Sequence, residues 1–296
     1  MFQPISASGR PWRRRIIKLA LAGAVGWSHS HNWLPSLRLT RNENGDYEDI
    51  LYRGKMIAQL QKPDLLRGMF AGGELYIIGS GPSVATAKLD TVRPHSSILL
   101  NGACSLIGES IKQPLAIAIE DERFVWRHFD LLERKVAPGT IVLLSPGVIR
   151  ALCEIRPGWI TKMQIILVDD VRKPYGRRRR SAAELRVMPN VILNKSAGAG
   201  FSQDPAIGVF QGGSVVVSAL QFGSYCQPSM IGLIGIDISN ASQPRFYEEQ
   251  GQVAFSGIQR SQARIIQHVE VAKQACLKQG TGLRSYSPTS PLNEIL

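Results

Sequence analysis

The chain is poor in the residues that build metal sites and disulfide frameworks. Its 296 residues include four cysteines and five histidines. Cys104, Cys153, Cys226 and Cys276 are scattered without C-x-x-C spacing, so neither a zinc site nor a disulfide scaffold is indicated. Three of them lie in apolar stretches and read as small core residues of a reduced, cytoplasmic protein. No Ser-His-Asp or metal-ligand spacing links the histidines. His29 and His31 flank Trp27 and Trp33, while His95 and His128 read as surface or turn residues. No apolar run approaches the roughly 20 residues that a membrane-spanning helix needs. No internal repeat is present.

Acidic residues are also in short supply. Thirty-five Lys and Arg face 23 Asp and Glu, giving a net charge of +12. The excess is concentrated in two places. Arg10, Arg13, Arg14, Arg15 and Lys18 form one cluster; Arg172, Lys173 and the Arg177-Arg178-Arg179-Arg180 run form the other. Such clusters suit an anionic membrane surface or nucleic acid. No basic stripe is interleaved with aromatics, so nucleic acid is not taken as a partner. Residues 16–27 are apolar apart from Lys18. Three readings compete for them: a secretory signal with Ala22-Gly23-Ala24 at its end, a helix packed on the domain, and a helix lying on the membrane surface. The last is preferred, placing the protein at the inner face of the cell membrane.

The most informative segment is Leu75-Tyr76-Ile77-Ile78-Gly79-Ser80-Gly81-Pro82-Ser83. An apolar run ends in a glycine-rich turn, and a helix-compatible stretch, 84–89, follows. Glycine permits positive φ and close approach of a ligand to the backbone, and Pro82 suits a first helical position. Free N–H groups of a first helical turn make an anion site. The expectation is a nucleotide phosphate held at Gly79, Ser80, Gly81, Pro82 and Ser83.

Beyond residue 74, short apolar runs at 75–79, 97–101, 115–119, 140–144, 164–168, 191–194 and 230–236 alternate with helical patterns. Helices are expected at 122–135, 213–225 and 261–279. This alternation implies a mostly parallel, Rossmann-like α/β sheet with helices on both faces. Ligands of such sheets bind beyond the carboxyl ends of the strands. The strand-end residues Asn101, Glu120, Asp121, Ser145 and Asp237 are therefore candidates. Asp169-Asp170 is read as a turn pair more readily than as a metal pair. Residues 28–73 are polar and carry a hairpin signal at 42–46, between 37–39 and 50–52. The expected organisation is a membrane-surface segment at 1–27, a β-rich appendage at 28–73 and a nucleotide-sugar-binding domain at 74–296.

Three segments in order resemble the bacterial lipooligosaccharide sialyltransferases and, more distantly, flagellin-modifying glycosyltransferases and hydroxymethylpterin pyrophosphokinase-like proteins. They are Gly79-Ser80-Gly81-Pro82-Ser83, Leu99-Leu100-Asn101, and Gln211-Gly212-Gly213 running through an apolar helix to Ile234-Gly235-Ile236-Asp237. The resemblance spans roughly 74–290. It implies a variant of the nucleotide-sugar glycosyltransferase fold, a CMP-activated acidic sugar of sialic acid or Kdo type as donor, a glycolipid acceptor, and no metal or other cofactor. Asn101, Glu120 and Asp121 would contact the nucleoside, and Gln211, Gly212 and Gly213 would close over the donor. Where the family has phosphate-stabilising tyrosines, this chain has Ser239 and Arg245, with Tyr247 close by. The family's histidine is replaced by Phe255-Ser256-Gly257, leaving His268, Asp237 and Glu248 as candidate bases. Arg245 and the four-arginine run would meet the donor's carboxylate. A pyrophosphokinase-like enzyme and a non-catalytic nucleotide-binding relative are the alternative functions.

Overall fold

The computed structural model describes residues 36–238, 258–288 and 290–296, together with Gly23 alone near the start. The surface segment at 1–27, His29, His31, Ser239, Arg245, Tyr247, Glu248 and residues 255–257 lie outside the described residues, apart from Gly23.

Twelve strands follow in chain order: β1 (Leu37–Arg41), β2 (Tyr47–Tyr52), β3 (Lys55–Gln61), β4 (Glu74–Ile78), β5 (Ser97–Leu100), β6 (Ala116–Ile119), β7 (Ile141–Leu144), β8 (Gln164–Leu167), β9 (Val191–Leu193), β10 (Gly200–Ser202), β11 (Met230–Ile234) and β12 (Gly282–Ser285). The helices are α1 (Asp64–Met69), α2 (Glu122–Lys135), α3 (Pro146–Ile155), α4 (Pro157–Ile160), α5 (Ala182–Arg186), α6 (Val215–Tyr225) and α7 (Ile258–Lys278). Ten strands form one sheet in the order β1-β2-β3-β8-β7-β6-β5-β4-β11-β12. β1, β2 and β3 pair antiparallel, and every pairing from β3 to β12 is parallel.

The central strands are short, apolar on both sides and covered on both faces, as parallel sheets require. In β7, Val142 and Leu144 join the core under α2 and α3, whereas Ile141 and Leu143 join the core under α6 and α7. β4 divides likewise, with Ile78 on the first side and Leu75 and Ile77 on the second. A buried side chain of this size is worth about 1.5–3 kcal/mol, which is why runs of only four residues hold as strands. All four cysteines are buried in these cores, and burial pushes their thiols upward.

Two sequence expectations are corrected. The 28–73 region does carry the hairpin, closed by Asn42 N–H to Asp46 O at 2.9 Å with Gly45 at φ +85. Its strands are not separate from the main sheet, however, because β3 runs on into β8 through Leu60 and Ile165. The strand at 191–194 forms, but as β9 in a two-stranded antiparallel sheet with β10. Its side chains are all half-buried rather than sandwiched between helices, so it does not belong to the central layer.

The strand order fixes where a ligand would sit. From β4 the chain steps outward through β5, β6, β7 and β8, then returns to β4's other side as β11. The order reverses between β4 and β11, at whose carboxyl ends the sequence motifs stand.

Candidate functional site

At the β4–β11 seam, the expected anion cradle is closed by the protein itself. The Asp237 carboxylate accepts from Ser83 N–H at 2.8 Å and from the Ser83 hydroxyl at 2.7 Å. Gly79 N–H donates to Ile234 O at 2.8 Å and Gly81 N–H to Gly235 O at 3.0 Å. A Cβ on Gly79 would run into Gly235 O, and one on Gly81 into the Asp237 carboxylate. These glycines therefore let two strand ends cross rather than let a ligand approach. The helix that follows is also not an α-helix. Residues Pro82–Thr86 make a five-residue 3-10 turn that ends in extended backbone at Ala87. So short a turn offers little dipole, and its Ser83 amide already holds a carboxylate. The phosphate grip assigned to Gly79, Ser80, Gly81, Pro82 and Ser83 is thus replaced by an internal latch. Asp237, with both oxygens engaged, is a strand clamp rather than a free base.

A second glycine-bearing turn behaves differently. Gln211-Gly212-Gly213 leads into α6, with Gly213 at φ +91. Ser214, the residue before the helix, supplies no side-chain cap, and the first amides of such a helix need partners from outside it. α6 runs antiparallel to the strands. Gly223, near its end, lies against Leu75 and Ile231, at the starts of β4 and β11. Its opening turn therefore stands at the carboxyl edge of the sheet. This is an eleven-residue helix, long enough to carry a macrodipole whose positive end faces that edge.

Of the polar strand ends, Glu120 meets α6 through Ser218. Asn101 sits at φ 48 just past β5, its Oδ1 buried and without a hydrogen-bond partner. Glu120, just past β6, is half-buried and its Oε1 also lacks a partner. Burial pushes the Glu120 carboxyl up to about 8; the Ser218 hydroxyl of α6 opposes the shift, while Asp170 and Asp121 add to it. Glu120 is therefore mostly protonated at neutral pH, able both to donate and to accept. Asp121 is committed elsewhere, capping α2 through Arg123 N–H at 3.0 Å and pairing with the Arg123 guanidinium. Ser145 caps α3 and donates to Glu120 O at 2.7 Å, a turn-forming role.

Cations flank the residues before α6. Arg264 Nε donates to Gly212 O at 3.0 Å. The Arg172 guanidinium carbon stands 5.0 Å from the Phe210 ring centre, its Nη2 donates to Ala197 O and Gly198 O, and its Nε is buried without a partner. Desolvation and the nearby charges of Arg179 and Arg264 pull the Arg172 pKa down, against Asp170, which supports its charge. Neither Arg172 nor Arg264 forms a close ion pair among the described residues. Neither Arg264 nor Ser218 is among the residues that the sequence singles out. An arginine 52 residues along the chain from Gly212 carries no local signature of that meeting.

His268 is corrected as a candidate base. It is 1% exposed, its Nδ1 lies 2.8 Å from Gly200 O, and desolvation brings it down to about 4. So weak a base, so placed, fits packing under Phe210 better than proton transfer. Asp169 and Asp170 form a turn pair. Asp169 accepts from Tyr47 hydroxyl and Tyr175 N–H, and Asp170 from Arg172 N–H. Among the described residues, no group of three or more His, Cys, Asp or Glu could hold a metal ion.

No protein-family model, curated protein or solved structure matches this chain.

Proposed function

We propose that the chain is a metal-independent glycosyltransferase that moves an acidic sugar of sialic acid or Kdo type from a CMP-activated donor to a glycolipid acceptor. The observation that carries the reading is the meeting of Arg172 and Arg264 beside the uncapped first turn of α6. Two like charges crowded together, with Asp170 offsetting them among the described residues, are costly unless an anion joins them. A single phosphodiester with an adjacent sugar carboxylate supplies that charge.

In this reading the donor phosphate sits at the α6 turn rather than at Gly79 to Ser83. Asn101 Oδ1 and the protonated Glu120 face the nucleoside, one as acceptor and one as donor. The acceptor hydroxyl oxygen bonds to the anomeric carbon and gives its proton to solvent water, while the bond from that carbon to the phosphate oxygen breaks. CMP leaves with the electron pair, stabilised by the two guanidiniums and the helix amides. The protein works as a peripheral protein on the inner face of the cell membrane; no helix among the described residues is long and apolar enough to cross one.

Incubation with CMP-activated acidic sugars and lipid extract, with released CMP measured, tests the reading. Release that falls at least tenfold in Arg264→Ala supports it. The sealed Gly79–Ser83 turn favours a second reading, a nucleotide-binding relative without turnover. That variant of the idea gives CMP binding and no CMP release. A response to ATP and magnesium with none to CMP would point to pyrophosphoryl transfer instead.

A further inference from the structure

We propose that residues 172–195 form a docking platform for an anionic phospholipid surface. Between those positions eight Lys and Arg accompany one acidic residue, Glu184, a net of +7 out of the chain's +12. The segment leaves the carboxyl end of β8, so it stands on the same edge of the sheet as the candidate site.

The platform is held, not loose. Tyr175 N–H donates to Asp169 at 2.9 Å and its hydroxyl donates to Leu37 O at 2.6 Å. Tyr47 hydroxyl secures Asp169 from the β2 side at 2.8 Å. Arg180 N–H returns to Arg172 O at 2.8 Å, and Arg180 Nη1 donates to Val171 O at 2.6 Å. A capping box between Ser181 and Glu184 opens α5. From this frame, Gly176, Arg177, Arg178 and Arg179 are all exposed. Among the described residues, Arg178 alone of these takes an acidic partner, Glu184.

The cations repel one another: Arg177 works against the charge of Arg180, and Arg179 against that of Arg172. A fold that fixes like charges together favours a polyanionic surface over scattered counter-ions. An exposed apolar side chain in the same segment selects which polyanion. Val187, at the end of α5, is 83% exposed. No exposed aromatic stands in the segment to stack on a base, since Tyr175 is half-buried and tied to Leu37. Exposed arginines and an outward valine in one segment suit headgroups with an acyl boundary beneath. The inference deepens the proposed function by turning the site's edge toward a membrane-borne acceptor.

Sedimentation of the full chain with phosphatidylcholine vesicles, with and without phosphatidylglycerol, is the test. Binding is expected only with phosphatidylglycerol, weakening as salt rises. At about 5-fold for each lost surface cation, Arg177→Ser with Arg179→Ser weakens it about 30-fold. Val187→Ser weakens it by a smaller factor that persists at high salt. Undiminished vesicle binding by the double variant overturns the proposal, as does equal binding to phosphatidylcholine alone. Displacement of the vesicles by single-stranded RNA at physiological salt also overturns it, in favour of nucleic acid. CMP titration of the same samples reads the nucleotide site separately, so a failed platform and a failed nucleotide site give different results.

Discussion

Two turns in this molecule share a vocabulary and differ in use. Gly79-Ser80-Gly81 and Gln211-Gly212-Gly213 each join an apolar element to a helical one at the carboxyl edge of the sheet. The first is closed by Asp237, whose two oxygens take the Ser83 amide and hydroxyl. The second opens into a helix without a side-chain cap, beside Arg264 and Arg172. Glycine thus answers two separate needs: room for a crossing strand at one turn, and at the other a positive φ that leaves room for the Arg264 guanidinium. What decides between them is the charge that arrives from elsewhere in the chain.

The contrast yields a graded set of expectations. At the closed turn, substitutions act on stability. Gly79→Ala forces a methyl into the Gly235 carbonyl and lowers unfolding free energy by about 3 kcal/mol or more, as overpacking against backbone does. Urea unfolding measures it; a loss below about 1 kcal/mol would mean that the strand ends are not in contact.

Glu120 gives the next effect, through pH. Its folded-state pKa of about 8 lies above the ordinary 4.5. The folded state therefore holds a proton that the unfolded chain has lost, and stability declines as pH rises from 4.5 to 8. Glu120→Gln removes that decline, worth about 1.4 kcal/mol for each pH unit crossed. Unfolding curves at acid and alkaline pH check this. Equal slopes in both proteins would show that the carboxyl is ordinary.

At the open turn, the effects are on binding. Arg264→Ala weakens CMP about 10- to 100-fold by calorimetry, the loss of about 1.5–3 kcal/mol expected for a charged hydrogen bond, with little change in unfolding. Asp237→Ala gives the smallest effect on the nucleotide. It costs about 1–3 kcal/mol of stability by stranding the Ser83 amide and leaves CMP affinity within a few-fold. A large loss of CMP binding there would mean that the first turn, not the second, meets the donor.

Much of this architecture is legible from sequence because short-range physics wrote it. The runs in β6 and β7 are apolar at every position, and α2 and α7 carry their apolar residues at helical spacing. The Asn42 to Asp46 turn announces itself by its asparagines and Gly45. β3 was not read, since Lys55, Gln59 and Gln61 give it an exposed, polar side. β9 was read as a central strand because its composition does not say that its partner is β10. The closed turn was misread for a stronger reason. Asp237 is 154 residues from Ser83, and nothing near Gly81 marks that a carboxylate will fill the space. Long-range charge placement separates a ligand site from a structural seam, and it is the part that local pattern does not carry.

The most direct test places CMP on the wild-type chain, Arg264→Ala and Asp237→Ala in one calorimetric series. Binding that survives loss of the carboxylate and collapses with loss of the guanidinium is the result expected. Binding that survives in Arg264→Ala and collapses in Asp237→Ala would return the phosphate to the first turn and contradict the account.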